Sequence, residues 1–108
     1  MSREEHVARN EALFREVNER IKEASEAVAT LLETGFVCEC GDPECTEPLS
    51  LTPVEYEEVR REPTHFLIVP GHADLEIEVV IARNERFAVV AKTDPQAARI
   101  AVREDPRS

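Results

Sequence analysis

Cys38, Cys40 and Cys45 fall within eight residues, in Phe36-Val-Cys-Glu-Cys-Gly-Asp-Pro-Glu-Cys-Thr46, and nothing else in the chain combines residue types in a pattern that implies site chemistry. In an extended stretch, side chains two residues apart point to the same side, so Cys38 and Cys40 can offer both sulfurs to one ion. Gly41-Asp42-Pro43 is turn chemistry: glycine permits unusual backbone angles, proline fixes φ, and the chain can reverse to bring Cys45 back. Three soft thiolates on one turn favour zinc, which takes four tetrahedral sulfur or nitrogen ligands. The turn itself supplies only three.

The chain holds three histidines for the fourth place. His6 lies in an acidic N-terminal stretch that reads as solvated helix. His65 opens the strand-like run His65-Phe-Leu-Ile-Val69, and His72 sits in the tight turn Pro70-Gly-His-Ala73 directly after it, where a ring nitrogen can reach a metal. A water or a carboxylate of Asp42, Glu44 or Glu47 would instead leave the site open. The plain alternative is three packed thiols, or one disulfide with a thiol left over. Isolated cysteines are usually buried as small hydrophobes. Three of them set among Glu39, Asp42, Glu44 and Glu47 do not read as core positions, and a bridge between Cys38 and Cys40 would be strained.

The 108 residues carry 23 acidic against 13 basic side chains, a formal net charge of −10. Zinc on three thiolates and a neutral imidazole adds one more negative charge. Nucleic-acid recognition needs a basic surface that displaces counterions from phosphates, and no basic run here exceeds Arg60-Arg61, so direct nucleic-acid binding is disfavoured. The acidity serves solubility or a basic protein partner. No apolar run approaches the roughly 18 residues of a membrane span, and Met-Ser-Arg-Glu-Glu does not start as a signal peptide, so a cytoplasmic location is expected. Cysteines kept reduced for metal agree with that.

These residues need elements to position them. Ser2-Arg-Glu-Glu5 is a capping-box pattern, and no proline or glycine interrupts the chain from there to Gly35. Val7, Phe14, Val17, Ile21, Ala24, Val28 and Leu31 recur at steps of three and four, with Asn10 as the polar member, which predicts one long amphipathic helix over residues 1–34. Such a helix outreaches the small domain of residues 35–108 to which it belongs as a single structural unit. Part of its apolar stripe, with Phe14, Val17, Ile21 and Val28 at its centre, is therefore expected to meet a protein partner or a second copy in a homodimer. Pro48 to Leu51 can pair with Phe36 to Cys40. Thr52-Pro53-Val54-Glu55 announces a second helix to about Glu62. His65 to Val69, the alternating Leu75, Ile77 and Val79, and Phe87 to Ala91 read as strands, with a hairpin at Arg83 to Arg86 in which Asn84 is able to take a left-handed conformation. Asp94-Pro95 opens a last helix. The expected fold is α+β: a long N-terminal helix, a small antiparallel sheet with a zinc-binding turn, and one or two short covering helices.

The chain resembles a family of short, uncharacterised bacterial proteins. The likeness lies in Ala8 to Ile21, Phe36-Val-Cys-Glu-Cys40 with Cys45, Leu51-Thr52 with Glu55-Tyr56 and Val59-Arg60, Pro70-Gly-His72, and Val89-Val90. It implies a motif of Cys38, Cys40, Cys45 and His72, favouring His72 over His65, and it brings no activity with it. Ala91 departs from the acidic residues found there in similar chains.

Three functions follow from these readings. A closed zinc site would stabilise a protein-interaction or regulatory module whose contact surface is the helix. Alternatively, oxidation of the zinc thiolates would eject the metal and make the chain a redox sensor. A zinc enzyme, with Glu39 or Glu44 as base, is disfavoured because the His-x-Glu with Pro-Cys-x-x-Cys and His-Glu-x-x-His patterns are absent.

Overall fold

Ser2 caps the first helix, its hydroxyl accepting from the Glu5 amide at 3.1 Å. The structure, a computed structural model, describes residues 2–29, 31–45 and 47–107. Helix α1 covers Arg3–Glu26 and ends sooner than the unbroken run to Gly35 predicts. Its last turn carries no basic residue, and the amides of Val28 and Ala29 both turn back to the Ser25 carbonyl. Val28, Leu31 and Leu32 beyond it stay exposed, so no packing draws the helix further.

Strands β1 (Thr34–Val37) and β2 (Pro48–Leu51) form an antiparallel pair in which Phe36 faces Leu49. Helix α2 (Pro53–Val59) starts in a complete capping box between Thr52 and Glu55 and stops three residues before the expected Glu62. Strands β3 (His65–Ile68), β4 (Glu78–Arg83) and β5 (Ala88–Lys92) make a second antiparallel sheet in the order β3-β5-β4. Helix α3 (Pro95–Arg103) is capped by Asp94, which accepts from the Ala97 amide. The fold is α+β, with the expected sheet divided in two. Its main core holds Phe36, Leu51, Tyr56, Phe66, Leu67 and Val90, and a smaller cluster joins Ala8, Ile77, Ala97 and Ile100.

Two strand expectations change. Leu75, Ile77 and Val79 do not share a buried face, because Asp74 to Ile77 forms a turn in which the Ile77 and Glu78 amides both donate to the Asp74 carbonyl. The strand begins only at Glu78, so Glu78 is buried and Val79 exposed. In the β4–β5 hairpin Asn84 does not take a left-handed conformation; its Oδ1 instead accepts from the Arg86 and Phe87 amides.

The largest departure is the face that α1 buries. Ala8, Glu11, Ala12, Arg15, Asn18, Glu19 and Lys22 point inward, a helical spacing carried mostly by polar and charged residues. Each has a partner far along the chain. Arg15 donates to the carbonyls of Pro63 and Ala101, both at 2.6 Å, with its guanidinium 4.6 Å over the Phe66 ring. Glu19 binds Arg60 and Arg107, and Lys22 binds Glu57 at 2.9 Å. Glu11 and Glu78 both bind the Lys92 ammonium in a space closed to water.

Two carboxylates around one ammonium leave an excess negative charge when all are ionised. Burial, the leading cause, raises the Glu11 pKa from 4.5 to about 8 against the pull of Lys92, and the charge of Glu78 adds to the rise. The folded state therefore holds a proton on Glu11 that the unfolded chain releases. This contribution to stability is full below pH 4.5 and declines as pH rises to about 8, by up to about 1.4 kcal/mol per pH unit. The urea midpoint of metal-loaded protein is expected to fall across that window, and Glu11→Gln should flatten the dependence; an unchanged slope in the variant would assign it to other groups.

Candidate metal centre

The segment Val37 to Cys40 leaves β1 between α1 and β3. On the α1 side, Asn18 pairs with the Val37 backbone twice, donating from Nδ2 to the carbonyl and accepting from the amide at Oδ1, each at 2.8 Å. Along β3, the Glu39 amide donates to the Leu67 carbonyl at 2.7 Å. The Glu39 side chain is fully buried: Oε2 accepts from Asn18 Nδ2 at 2.7 Å and the Tyr56 hydroxyl at 2.6 Å, and Oε1 from the Leu67 amide at 2.9 Å. Burial pushes the Glu39 carboxyl pKa up, and these three donors oppose it. The same burial, together with the charge of Glu39, lifts the Tyr56 phenol pKa well above its usual value.

Glu39 thus anchors inward while Cys38 and Cys40 on either side of it face the site. Both cysteines are themselves buried, so the acidic setting of the motif did not mean an exposed loop. Tyr56 on α2 is fully buried as well. It is stacked on Phe36 with ring centroids 4.7 Å apart, as well as holding Glu39.

Gly41 begins the return. Its φ of +80° is a left-handed conformation that favours glycine, and a Cβ there would lie 2.9 Å from side-chain atoms of Val7 and Glu11 and 3.0 Å from the Val7 carbonyl. The loop consequently sits directly on α1, where Asn10 donates to the Gly41 carbonyl at 3.1 Å. Asp42 then closes the turn: its Oδ1 accepts from the Glu44 amide and its carbonyl from the Cys45 amide. On the opposite side, Val69-Pro-Gly-His72 is a second tight turn, with the His72 amide on the Val69 carbonyl and Gly71 at φ +94°.

These turns bring Cys38, Cys40, Cys45 and His72 together, their ligating atoms all within 4.8 Å of one another. His72 Nδ1 lies 3.7 Å from Cys38 Sγ and 3.6 Å from Cys45 Sγ. Its Nε2 faces Glu47 at 3.2 Å, an arrangement in which the carboxylate fixes the ring and leaves Nδ1 free for a metal. The Val69 amide donates to Cys38 Sγ at 3.2 Å. In the crowded sulfur set negative charge settles on Cys40, whose pKa falls to about 5, chiefly through the hydrogen bond from Cys38. That same bond, with burial, pushes Cys38 up, and burial raises Cys45. A metal must displace the remaining protons, so binding tightens as pH rises.

The other sequence candidates lie elsewhere. His65 is on β3 beside Val59, Ile81, Phe87 and Val89, and His6 is exposed on the first turns of α1. Glu44 is exposed and Glu39 is held in the interior. Of the helix residues expected to make contacts, Phe14 and Ile21 are half-buried, Val17 is exposed, and Val28 lies beyond the helix end. A groove of about 700 Å³ between α1 and α3 is lined by none of the four clustered residues. What sequence reading missed is the support: Asn10, Asn18, Glu39 and Tyr56. The one local signal was two asparagines inside a helix, where they are poor formers unless something binds them. No protein-family model, curated protein or solved structure matches the chain. No helix among the described residues is long and apolar enough to cross a membrane.

Replacing Asn18 by alanine removes donors from Glu39 and Val37 and an acceptor from the Val37 amide. Asn18→Ala is expected to cost about 2–3 kcal/mol of stability in urea unfolding and to weaken metal binding roughly 10–100-fold in chelator competition.

Proposed function

We propose that this chain is a zinc-stabilised protein-interaction module in which the metal closes the fold and α1 makes the contact. The observation that carries the metal half is the convergence of four ligating atoms from two turns. A tetrahedron with zinc bonds of about 2.3 Å to sulfur and about 2.0 Å to nitrogen has nitrogen-to-sulfur edges of about 3.5 Å. The His72 separations of 3.7 and 3.6 Å are close to that edge. Three thiolates and one imidazole are a borderline-soft donor set suited to zinc, and four protein ligands leave no position for substrate or water. The metal then supplies folding free energy by tying the Cys38–Cys45 loop to the turn at His72.

The contact half draws on the outer face of α1, where Leu13 and Val17 stand clear of the core, and on Val28, Leu31 and Leu32 just beyond the helix. An acidic chain in which most basic side chains are already paired to carboxylates suits a protein partner better than a nucleic acid. A redox role has one supporting feature: Cys45 is the least buried of the three thiols. Under that reading mild peroxide releases the metal and alters self-association; metal content unchanged by peroxide removes it.

Elemental analysis of protein prepared without chelators is expected to find one equivalent of zinc, and chelation should lower the unfolding temperature. His72→Ala should weaken zinc binding by more than about 100-fold, beyond the loss of an outer partner, whereas His65→Ala should leave it unchanged. Protein that lacks zinc and keeps its fold in chelator overturns the reading.

A further inference from the structure

An α-helix at a domain surface normally turns its apolar residues inward and its charges outward. Helix α1 reverses this over its middle turns, with Glu11, Arg15, Asn18, Glu19 and Lys22 buried while Leu13, Val17 and Ala24 face out. Leu13 is 56% exposed and Val17 40%. Their spacing of four and seven residues makes one stripe directly opposite the buried face. Along one flank of the stripe run Arg9, Glu16, Arg20 and Glu23, at offsets of seven, eleven and fourteen from the first, all exposed.

We propose that this stripe binds a second copy of the chain, α1 against α1, antiparallel about a two-fold axis that crosses the outer face level with residue 18. The proposal rests on the assignment of α1 as the contact surface and names its partner. Flanking charges set orientation in paired helices: in an antiparallel pair each flank meets its own counterpart, and in a parallel pair it meets the opposite flank. The charged flank alternates in sign, with Arg20 on its own Glu16 at 3.5 Å and Arg9 on Glu104 at 3.1 Å; against itself in antiparallel order the Glu16–Arg20 pairs of the two copies come together, so that Arg20 of each also meets the other copy's Glu16, twice by symmetry. A parallel copy would set these charges against the other flank, which offers Asn10, Phe14 and Ile21. A uniformly basic partner would meet Arg9 and Arg20 with like charge. Shape agrees with this order: Leu13 falls opposite Arg20, Glu23, Ala24 and Ala27 of the copy, where two alanines leave room for a leucine knob. Val17 falls against the copy's Val17, Ile21 and Ala24. Such a contact is isologous and closes at two chains.

Sedimentation of the metal-loaded full chain over a micromolar concentration series is expected to show a monomer–dimer equilibrium. Leu13→Glu and Val17→Glu should each weaken it by at least about tenfold, with metal content unchanged, and with the unfolding temperature unchanged in samples dilute enough to be monomeric, because both side chains lie outside the core. The decisive arm uses Glu16→Arg and Arg20→Glu. Each variant alone places like charges across the axis and should be monomeric, and their mixture should form a heterodimer. Wild-type protein that stays monomeric throughout overturns the proposal and leaves the stripe to a different protein. A dimer indifferent to Leu13→Glu, or a mixture that fails to associate, overturns it as well. Zinc content measured on the same samples separates this failure from failure of the metal reading.

Discussion

A single buried carboxylate holds the cysteine–histidine cluster in register with the rest of the molecule. Glu39 stands between two ligating cysteines and draws its three donors from α1, from α2 and from β3. Each donor is neutral, and the interior around them excludes water, so each bond lost would leave a buried polar group without a partner. The orientation of Cys38 and Cys40 is therefore decided by hydrogen bonds on the opposite side of the backbone from the sulfurs. Alternation along an extended chain does the rest: with Glu39 fixed inward, its neighbours face the site.

The same logic extends along α1. Its inward residues are matched one by one to carbonyls and to ions of opposite sign: Arg15 to Pro63 and Ala101, Glu19 to Arg60 and Arg107, Lys22 to Glu57. Burying ions gains little stability over a well-packed apolar face, but removing one member strands the other, so such layers tolerate few alternative arrangements. The helix is positioned by specific pairing more than by apolar packing.

Much of this was legible in the sequence, and the exceptions share a cause. The cysteine spacing with the Pro70-Gly-His72 turn gave the ligand cluster, while Thr52-Pro53 and Asp94-Pro95 marked helix starts, because each signal is local. Apolar periodicity, in contrast, did not locate the face that α1 buries. A periodic run of leucines and valines says where a stripe lies and not which side is covered. The residues that decide it, Glu11 with Lys92 and Arg15 with Ala101, are 81 and 86 positions apart. Glu39 looked like one more surface acid because its partners Asn18, Tyr56 and Leu67 lie 17 to 28 residues away. The strand at Glu78 shifted its parity for a similar reason, the buried Lys92 drawing in an acid that alternation had placed outside.

Gly41 has a kinetic consequence. Its backbone rests so closely on Val7 and Glu11 that no side chain fits between loop and helix, and Asn10 holds its carbonyl. The loop from Cys38 to Cys45 cannot swing away at Gly41 without releasing the N-terminal half of α1. Amide hydrogens of α1 from Val7 to Asn18 and those of the loop therefore belong to one cooperative opening unit and exchange together. A close backbone contact at the loop thus sets how long the N-terminal half of the helix stays intact.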